Sequence, residues 1–237
     1  MRPDGRANDE LRPIIVTPHY LDHNPASVLV KMGKTWVLCV ASVAEEVPRW
    51  LRDQAQGWVT AEYGLLPAST HTRTRREAAT GRIKGRTHEI QRMIGRSLRT
   101  ALDLRQLGER TITIDCDVIQ ADGGTRTAAV TGGYVALALA VSDLIKDGAV
   151  RRSVWRAPVA AVSVGVVQGD RLLDLCYQED SQAEVDLNVV MDAHDQYVEV
   201  QGTAEGRPFE REVMDDLLNL AEKGIKELLA AQNQVLA

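Results

Sequence analysis

Residues 115–132 constrain the fold more than any other part of the chain, because they read as a strand, a tight turn and a buried helix. Apolar and polar residues alternate as far as Val118, and small and apolar residues dominate after Arg126. Between them stands the pair Gly123-Gly124, which suits a turn with positive φ. We predict a strand over 111–119, a glycine turn (residues 123–126) and a buried helix from about 125 to 146.

The glycine turn has the properties of an anion site. Backbone N–H groups at a helix N-terminus are unpaired and partly positive, so they attract negative charge. Gly124 lets an oxyanion approach the backbone, and Arg126 adds a permanently charged fork. A tight turn without any ligand explains the same residues equally well from spacing alone. The segment matches neither GxGxxG nor GxxxxGK[ST], so it is not a dinucleotide or P-loop fingerprint.

The net charge of −5 conceals an uneven distribution of charge. Residues 73–110 hold ten arginines and one lysine against four acidic residues, whereas residues 168–237 hold sixteen acidic residues against five basic ones. Arginine suits bidentate recognition of phosphate, although an arginine-rich source genome would give the same excess. Within this region, residues 70–86 are polar, basic and rich in glycine, and we interpret them as a loop, the basic loop.

Cysteine usage and apolar patterning indicate a cytoplasmic protein. Cys39, Cys116 and Cys176 lie far apart in strand-like segments without metal-type spacing, as expected for core thiols in a reducing compartment. The charged N-terminal residues form no apolar signal core. The longest apolar stretch, residues 135–141, is too short for a bilayer, so we expect no membrane partner.

The remaining patterns indicate an α+β fold with mixed or antiparallel sheets, and with no linker we expect one compact domain over residues 1–237. An amphipathic helix is predicted over 87–105, with Thr87 as its N-cap. Arg92, Arg96 and Arg99 share one face of it. Further segments are a hairpin over 27–33 and 35–46, an extended segment over 56–67, a second hairpin over 157–169 and 171–177, strands over 185–192 and 197–204, and a terminal helix over 209–235.

Two aspartates and one arginine are further candidates for chemistry. Asp180 and Asp186 are six residues apart, a rotation of about 600° on a helix, which does not align them. They converge only if Asp180 lies in a helical turn and Asp186 on the following strand. An acidic turn that complements a helix dipole is the simpler explanation from sequence alone. Arg86 precedes the amphipathic helix, where a lone arginine is most often a solvated surface residue.

Three long segments, residues 85–104, 115–133 and 179–191, resemble ribonuclease PH, a family of bacterial phosphorolytic exoribonucleases that trim transfer-RNA 3′ ends. Shorter similarities occur at residues 1–13, 47–51, 54–67 and 200–206, so the resemblance covers essentially the whole chain in order. It implies a single domain built from two similar βαβα halves. It also implies assembly as a hexameric ring, a trimer of dimers.

The resemblance also implies roles for particular residues. Inorganic phosphate, the co-substrate, would be held by Arg86, Gly124, Thr125 and Arg126. Asp180 and Asp186 would be the catalytic pair and the ligands of Mg²⁺. The partner would be RNA, especially transfer-RNA precursors with unpaired 3′ ends. We expect RNA contacts from the basic loop and the amphipathic helix, through Arg73, Arg75, Arg76, Arg92, Arg96 and Arg99.

Two other functions compete with this one. A non-catalytic RNA-binding subunit of an exosome-like ring would keep the fold, but it would not need Arg86, the glycine turn or the two aspartates. A small-molecule kinase would require a glycine- and serine-rich nucleotide loop, and the sequence contains none. The favoured prediction is therefore a phosphorolytic 3′–5′ exoribonuclease.

Overall fold

The computed structural model describes residues 2–77, 79 and 81–237, and it contains two β-sheets. The first has the order β1-β2-β3-β5-β4, with β4 parallel to β5 and the other pairs antiparallel. Its strands are Ile14–Pro18 (β1), Ser27–Met32 (β2), Thr35–Ala44 (β3), Trp58–Leu65 (β4) and Thr111–Gln120 (β5).

The second sheet is antiparallel throughout, in the order β7-β6-β8-β9. Its strands are Val159–Val167 (β6), Asp170–Leu173 (β7), Val185–Asp192 (β8) and Tyr197–Ala204 (β9). The α-helices are Gly85–Thr100 (α1), Leu104–Leu107 (α2), Thr125–Lys146 (α3), Tyr177–Asp180 (α4) and Arg211–Leu236 (α5), with 3₁₀ turns at Arg49–Leu51 and Arg152–Val154. The mixed first sheet and antiparallel second sheet confirm the predicted α+β class.

Helix α3 packs against strands of both sheets and holds the fold together. It approaches the first sheet closely at Gly132, where an added Cβ would lie 2.7 Å from Val30 Cγ1 and 3.0 Å from Cys39 Sγ. Side chains of both sheets and of α3 and α5 belong to one contiguous hydrophobic cluster. This continuity supports our proposal of one domain over residues 1–237.

The composition of α3 follows from its place in the core of the fold. By length and composition alone its 22 residues would suffice to cross a membrane, although the longest uninterrupted apolar stretch had suggested otherwise. However, 72% of its most apolar 18-residue window is buried inside the fold. A helix packed between two sheets needs an apolar surface nearly all round, which explains the composition.

The amphipathic helix differs from its prediction at both ends. It begins at Gly85 after Lys84, which makes no side-chain cap, so the N-cap assigned to Thr87 was wrong. The Thr87 hydroxyl instead donates to Glu77 Oε1 at 3.0 Å. At the other end α1 stops at Thr100, and Asp103 caps the separate short helix α2 by accepting from the Arg105 N–H.

Candidate active site

The starts of helices α1 and α3 and the end of helix α4 meet at one place. Arg86 is the second residue of α1, Arg126 is the second residue of α3, and Asp180 is the last residue of α4. Arg86 lines one cavity with Tyr63, whose hydroxyl lies 2.8 Å from Thr125 Oγ1 at the start of α3, and burial raises the pKa of Asp180 against the opposing charges of Arg86 and Arg126. Two cationic side chains, each in the first turn of a helix, therefore act on one carboxylate.

The glycine turn allows this close approach. Gly123 and Gly124 have φ values of 76° and 63°, the left-handed region that glycine adopts without strain. A Cβ on Gly123 would lie 2.6 Å from the Leu175 carbonyl oxygen and 2.8 Å from the Tyr177 nitrogen. The turn thus packs backbone against backbone on the segment that leads into α4. Without this contact, the start of α3 would stand farther from Asp180.

Arg126 retains hydrogen-bonding capacity at the site. Its side chain is 17% exposed, and its Nη1 donates to Gln201 Oε1 at 3.2 Å and to Glu89 Oε1 at 3.5 Å. Among the described residues, its side-chain hydrogen bonds all come from Nη1. The Nε and Nη2 groups can therefore serve an anion, and the long contact with Glu89 is a weak ion pair.

Asp180 lies in the helical turn α4 and Asp186 on the next strand, which is the arrangement in which the two carboxylates can converge. Asp186 is on β8, opposite Gly165 of β6 and Thr203 of β9. Burial raises the pKa of Asp186, and the charge of Asp180 raises it further. Burial also raises the pKa of Asp180, against the opposing effect of the nearby arginines. Asp186 is partly buried and Asp180 keeps exposed surface, and two neighbouring carboxylates that repel each other would bind a cation or share a proton.

Tyr63 also belongs to this site, and the sequence analysis missed it. It is a buried residue of β4, and its hydroxyl lies 2.8 Å from Thr125 Oγ1. Burial raises the pKa of Tyr63, and the hydrogen bond to Thr125 and the charges of Arg86 and Arg126 oppose that rise. The alternation along β4 marks Tyr63 as inward-facing. Its contact with a residue 62 positions away has no local signature.

The basic loop lies beside Arg86. Arg73, Arg75 and Arg76 are exposed. Arg75 and Arg76 line a cavity of about 630 Å³ that Tyr63 and Arg86 also line. This cavity is large enough for a nucleotide-sized ligand. Ala78 and Thr80, within the basic loop as predicted, lie outside the described residues.

The three arginines of α1 differ in their surroundings. Arg92 is exposed. Arg96 forms an ion pair with Glu199 of β9, with 2.9 Å between Nε and Oε2. Arg99 lies over the Trp58 ring at 4.2 Å, and its Nη1 donates to the Val59 carbonyl at 2.9 Å. Arg96 and Arg99 thus connect α1 to neighbouring strands, whereas Arg92 has its side chain in solvent.

Comparisons with known proteins gave matches over nearly the whole chain. The 3′ exoribonuclease family, domain 1, matches residues 10–142, and domain 2 of the same family matches residues 157–224. Ribonuclease PH of Corynebacterium glutamicum (strain R) is 57% identical over 235 residues, which cover 99% of this chain and 96% of the relative.

Solved structures share the fold at low identity. A chain of an Archaeoglobus fulgidus exosome with RNA bound to the active site superposes with a TM-score of 0.81 at 22% identity, covering 97% of this chain and 91% of that chain. Rice (Oryza sativa) Rrp46 gives a TM-score of 0.79 at 18% identity, with full coverage of both chains.

Proposed function

This chain belongs to the 3′ exoribonuclease family and is a phosphorolytic 3′–5′ exoribonuclease, and we propose that Arg86, Gly124, Thr125 and Arg126 hold the attacking phosphate. The observation that carries the proposal is that Arg86 lines one cavity with Tyr63, whose hydroxyl lies 2.8 Å from Thr125 Oγ1 at the start of the helix that carries Arg126. Inorganic phosphate is a dianion over much of the neutral range, and two guanidinium groups with a helix N-terminus offset its charge. The substrates of the enzyme are transfer-RNA precursors with unpaired 3′ ends.

The reaction exchanges one phosphate bond for another. An oxygen of the bound phosphate attacks the phosphorus that links the last nucleotide to the RNA. The bond from that phosphorus to the 3′-oxygen of the penultimate nucleotide breaks, and the leaving oxygen takes up a proton. The product is a nucleoside 5′-diphosphate, and the step is reversible because an anhydride replaces an ester. The two arginines orient the attacking phosphate and reduce its repulsion from the RNA phosphate.

We propose that Asp180 and Asp186 act on the 3′-oxygen that leaves when the bond breaks. Their repulsion and partial burial raise the pKa of Asp186, which suits a group that holds a proton or a cation. The pair also fits Mg²⁺, which commonly takes one or two carboxylates and completes its shell with water and phosphate oxygens. In the described part of the chain no cluster of three or more His, Cys, Asp or Glu is suited to a metal. When bound, the cation would stabilise negative charge on the phosphoryl and leaving oxygens.

RNA approaches the site across a basic surface. We propose that Arg73, Arg75 and Arg76 dock the body of transfer RNA and that Arg92 extends this surface. For Arg96 and Arg99 an RNA contact would require that they exchange or share their contacts with Glu199 and Trp58. We further propose that the chain acts in the cytoplasm as a ring of six, arranged as a trimer of dimers.

The test uses RNA with an unpaired 3′ end, incubated with and without inorganic phosphate. We expect phosphate-dependent release of nucleoside 5′-diphosphates, identified by chromatography against standards. Nucleoside monophosphates formed equally well without phosphate would indicate hydrolysis and refute the proposal. No release under either condition would favour the non-catalytic RNA-binding alternative.

A further inference from the structure

Two arginines near the start of the chain are buried next to the candidate active site. Arg2 and Arg12 are only 6% and 3% exposed. Both contact residues just before or within α4, the helical turn that ends at Asp180. Burying a charge is costly unless it is paired and fully hydrogen-bonded, so the partners of these arginines need explanation.

Arg12 is bound to the glycine turn and to Asp174 at once. Its Nε and Nη2 donate to the two carboxylate oxygens of Asp174 at 2.9 and 2.7 Å. Its Nη1 donates to the Asp122 carbonyl at 2.6 Å. The Thr35 hydroxyl completes the contact, because it donates to the Gly123 carbonyl at 2.6 Å and accepts from the Asp122 N–H at 3.0 Å.

These contacts fix the orientation of the peptide units that lead into α3. In a trans peptide the C=O and the following N–H point in opposite directions. With the carbonyls of Asp122 and Gly123 held by Arg12 and Thr35, the N–H groups of Gly123 and Gly124 point away from them. The glycine turn is thereby kept ready for an anion on its other side.

Arg2 holds the turn that carries Asp180. Its Nε and Nη2 donate to the two carboxylate oxygens of Glu179 at 2.7 and 2.8 Å. Glu179 also accepts from the Cys176 N–H at 3.0 Å, which closes the first turn of α4. Although burial raises the pKa of Glu179, Arg2 and the Cys176 N–H lower it below its usual value, so the pair stays charged. A helix of four residues is unstable alone, and this contact supplies what it lacks.

Asp174 contacts both arginines. Its side chain binds Arg12, and its carbonyl accepts from Arg2 Nη2 at 3.1 Å. It is fully buried and has a φ of 54°, a left-handed conformation that is costly for a residue with a Cβ. Strain of this kind persists only where the surrounding contacts hold it.

We propose that Arg12 and Arg2 are positioning residues with separate tasks: Arg12, with Thr35, sets the phosphate-binding turn, and Arg2 sets Asp180 through Glu179. This inference rests on the proposed function. It predicts that a change at Arg12 or Thr35 raises the KM for phosphate, whereas a change at Arg2 lowers kcat. A pair that only stabilises the fold would not divide its effects in this way.

The experiment uses mild variants, because deleting one partner of a buried ion pair often unfolds a protein. Thr35→Val removes one hydroxyl from the glycine turn and should raise the KM for phosphate roughly threefold to tenfold at nearly constant kcat. Arg2→Lys keeps the charge but loses the fork, and kcat should fall roughly tenfold or more at nearly constant KM. Arg12→Lys should follow Thr35→Val.

Gln232→Leu provides the control for general destabilisation. Gln232 is buried away from these residues and donates to the carbonyls of Thr131 and Val159 at 2.9 and 3.0 Å. Its variant should lower the melting temperature and leave both kinetic constants of the folded protein unchanged.

The outcomes separate the inference from the function on which it rests. A split between KM at Thr35 and Arg12 and kcat at Arg2 supports the inference. Equal losses in all three variants that track their melting temperatures would overturn it alone. A parent protein that releases no nucleoside diphosphate with phosphate would overturn the proposed function and this inference together.

Discussion

Replacement of Arg126 by alanine tests the phosphate site most directly. The guanidinium offers Nε and Nη2 to a ligand, and its protein contacts at 3.2 and 3.5 Å are weak. Its removal should therefore cost little folding stability. A hydrogen bond to a charged group contributes about 1.5–3 kcal/mol, which corresponds to a roughly 10- to 150-fold rise in the phosphate concentration for half-maximal rate.

The assay measures initial release of nucleoside diphosphate against phosphate concentration, at saturating RNA. Arg126→Lys retains the charge without the two-pronged geometry and should fall between the parent and the alanine variant. Arg171→Ala is a matched control, because Arg171 also forms an ion pair, with Asp216 at 3.2 Å, on a different part of the surface. Affinity for RNA, measured by fluorescence anisotropy, should change little in all three variants.

The same replacement should also move the pH profile. The charge of Arg126 lowers the pKa values of both Asp180 and Asp186, so its loss must raise them further. If activity requires an ionised carboxylate, the acid limb of the pH–rate profile should shift to higher pH. An unchanged phosphate dependence together with an unshifted acid limb would remove Arg126 from the site.

Three further predictions concern other parts of the site. Asp186→Asn should abolish activity yet raise the melting temperature at neutral pH without divalent cations. The folded state raises the pKa of the Asp186 carboxyl, so ionising it destabilises the fold fully above the raised pKa and not at all below about pH 3.8. A lower melting temperature of the variant at neutral pH would contradict this prediction. Gly124→Ala would place a residue with a Cβ in the left-handed region, at a cost of about 1–2 kcal/mol for the backbone alone, and would bring that Cβ within 2.9 Å of Arg12 Nη2. Calorimetry should show the loss of stability, and the kinetic assay should show a higher KM for phosphate. Combined alanine replacement of Arg73, Arg75 and Arg76 should weaken binding of precursor transfer RNA and reduce its salt slope by up to about one unit per lost contact, with little effect on cleavage of a short oligonucleotide, whereas equal loss on both substrates would place these arginines at the reaction centre.

Elements with clear boundaries in the sequence were predicted at the observed residues. Helix α3 is a long apolar run, strands β8 and β9 are extended segments, all three are bounded by turn residues, and their predicted limits agree with the structure. Helix α1 was predicted too long because the apolar stripe continues past its end. Leu102 leaves the helix and pairs with Trp155, a contact that periodicity does not encode. Its start was misplaced because no side chain caps it.

The residues of the candidate site also differ in how well the sequence predicts them. Arg86, Arg126, Asp180 and Asp186 stand in continuous motifs, so a family resemblance identifies them. The roles of Tyr63, Arg2 and Arg12 depend on partners 62, 177 and 162 residues away. Charge patterns also failed to show that some arginines of α1 are engaged within the fold. The sequence shows where an arginine is, whereas its hydrogen-bond acceptor is known only from the fold.

The long separation between Arg12 and Asp174 has a consequence for biosynthesis. A growing chain presents Arg2, Arg12 and the glycine turn well before the ribosome has made the carboxylates that complete them. Because contacts with Asp174 and Glu179 help to join the turn to the segment that carries Asp180, an unfinished chain carries half of the candidate site. We therefore expect the nascent chain to be inactive toward the messenger, transfer and ribosomal RNA around it. We expect phosphorolytic activity to appear only after the strands of the second sheet have been synthesised.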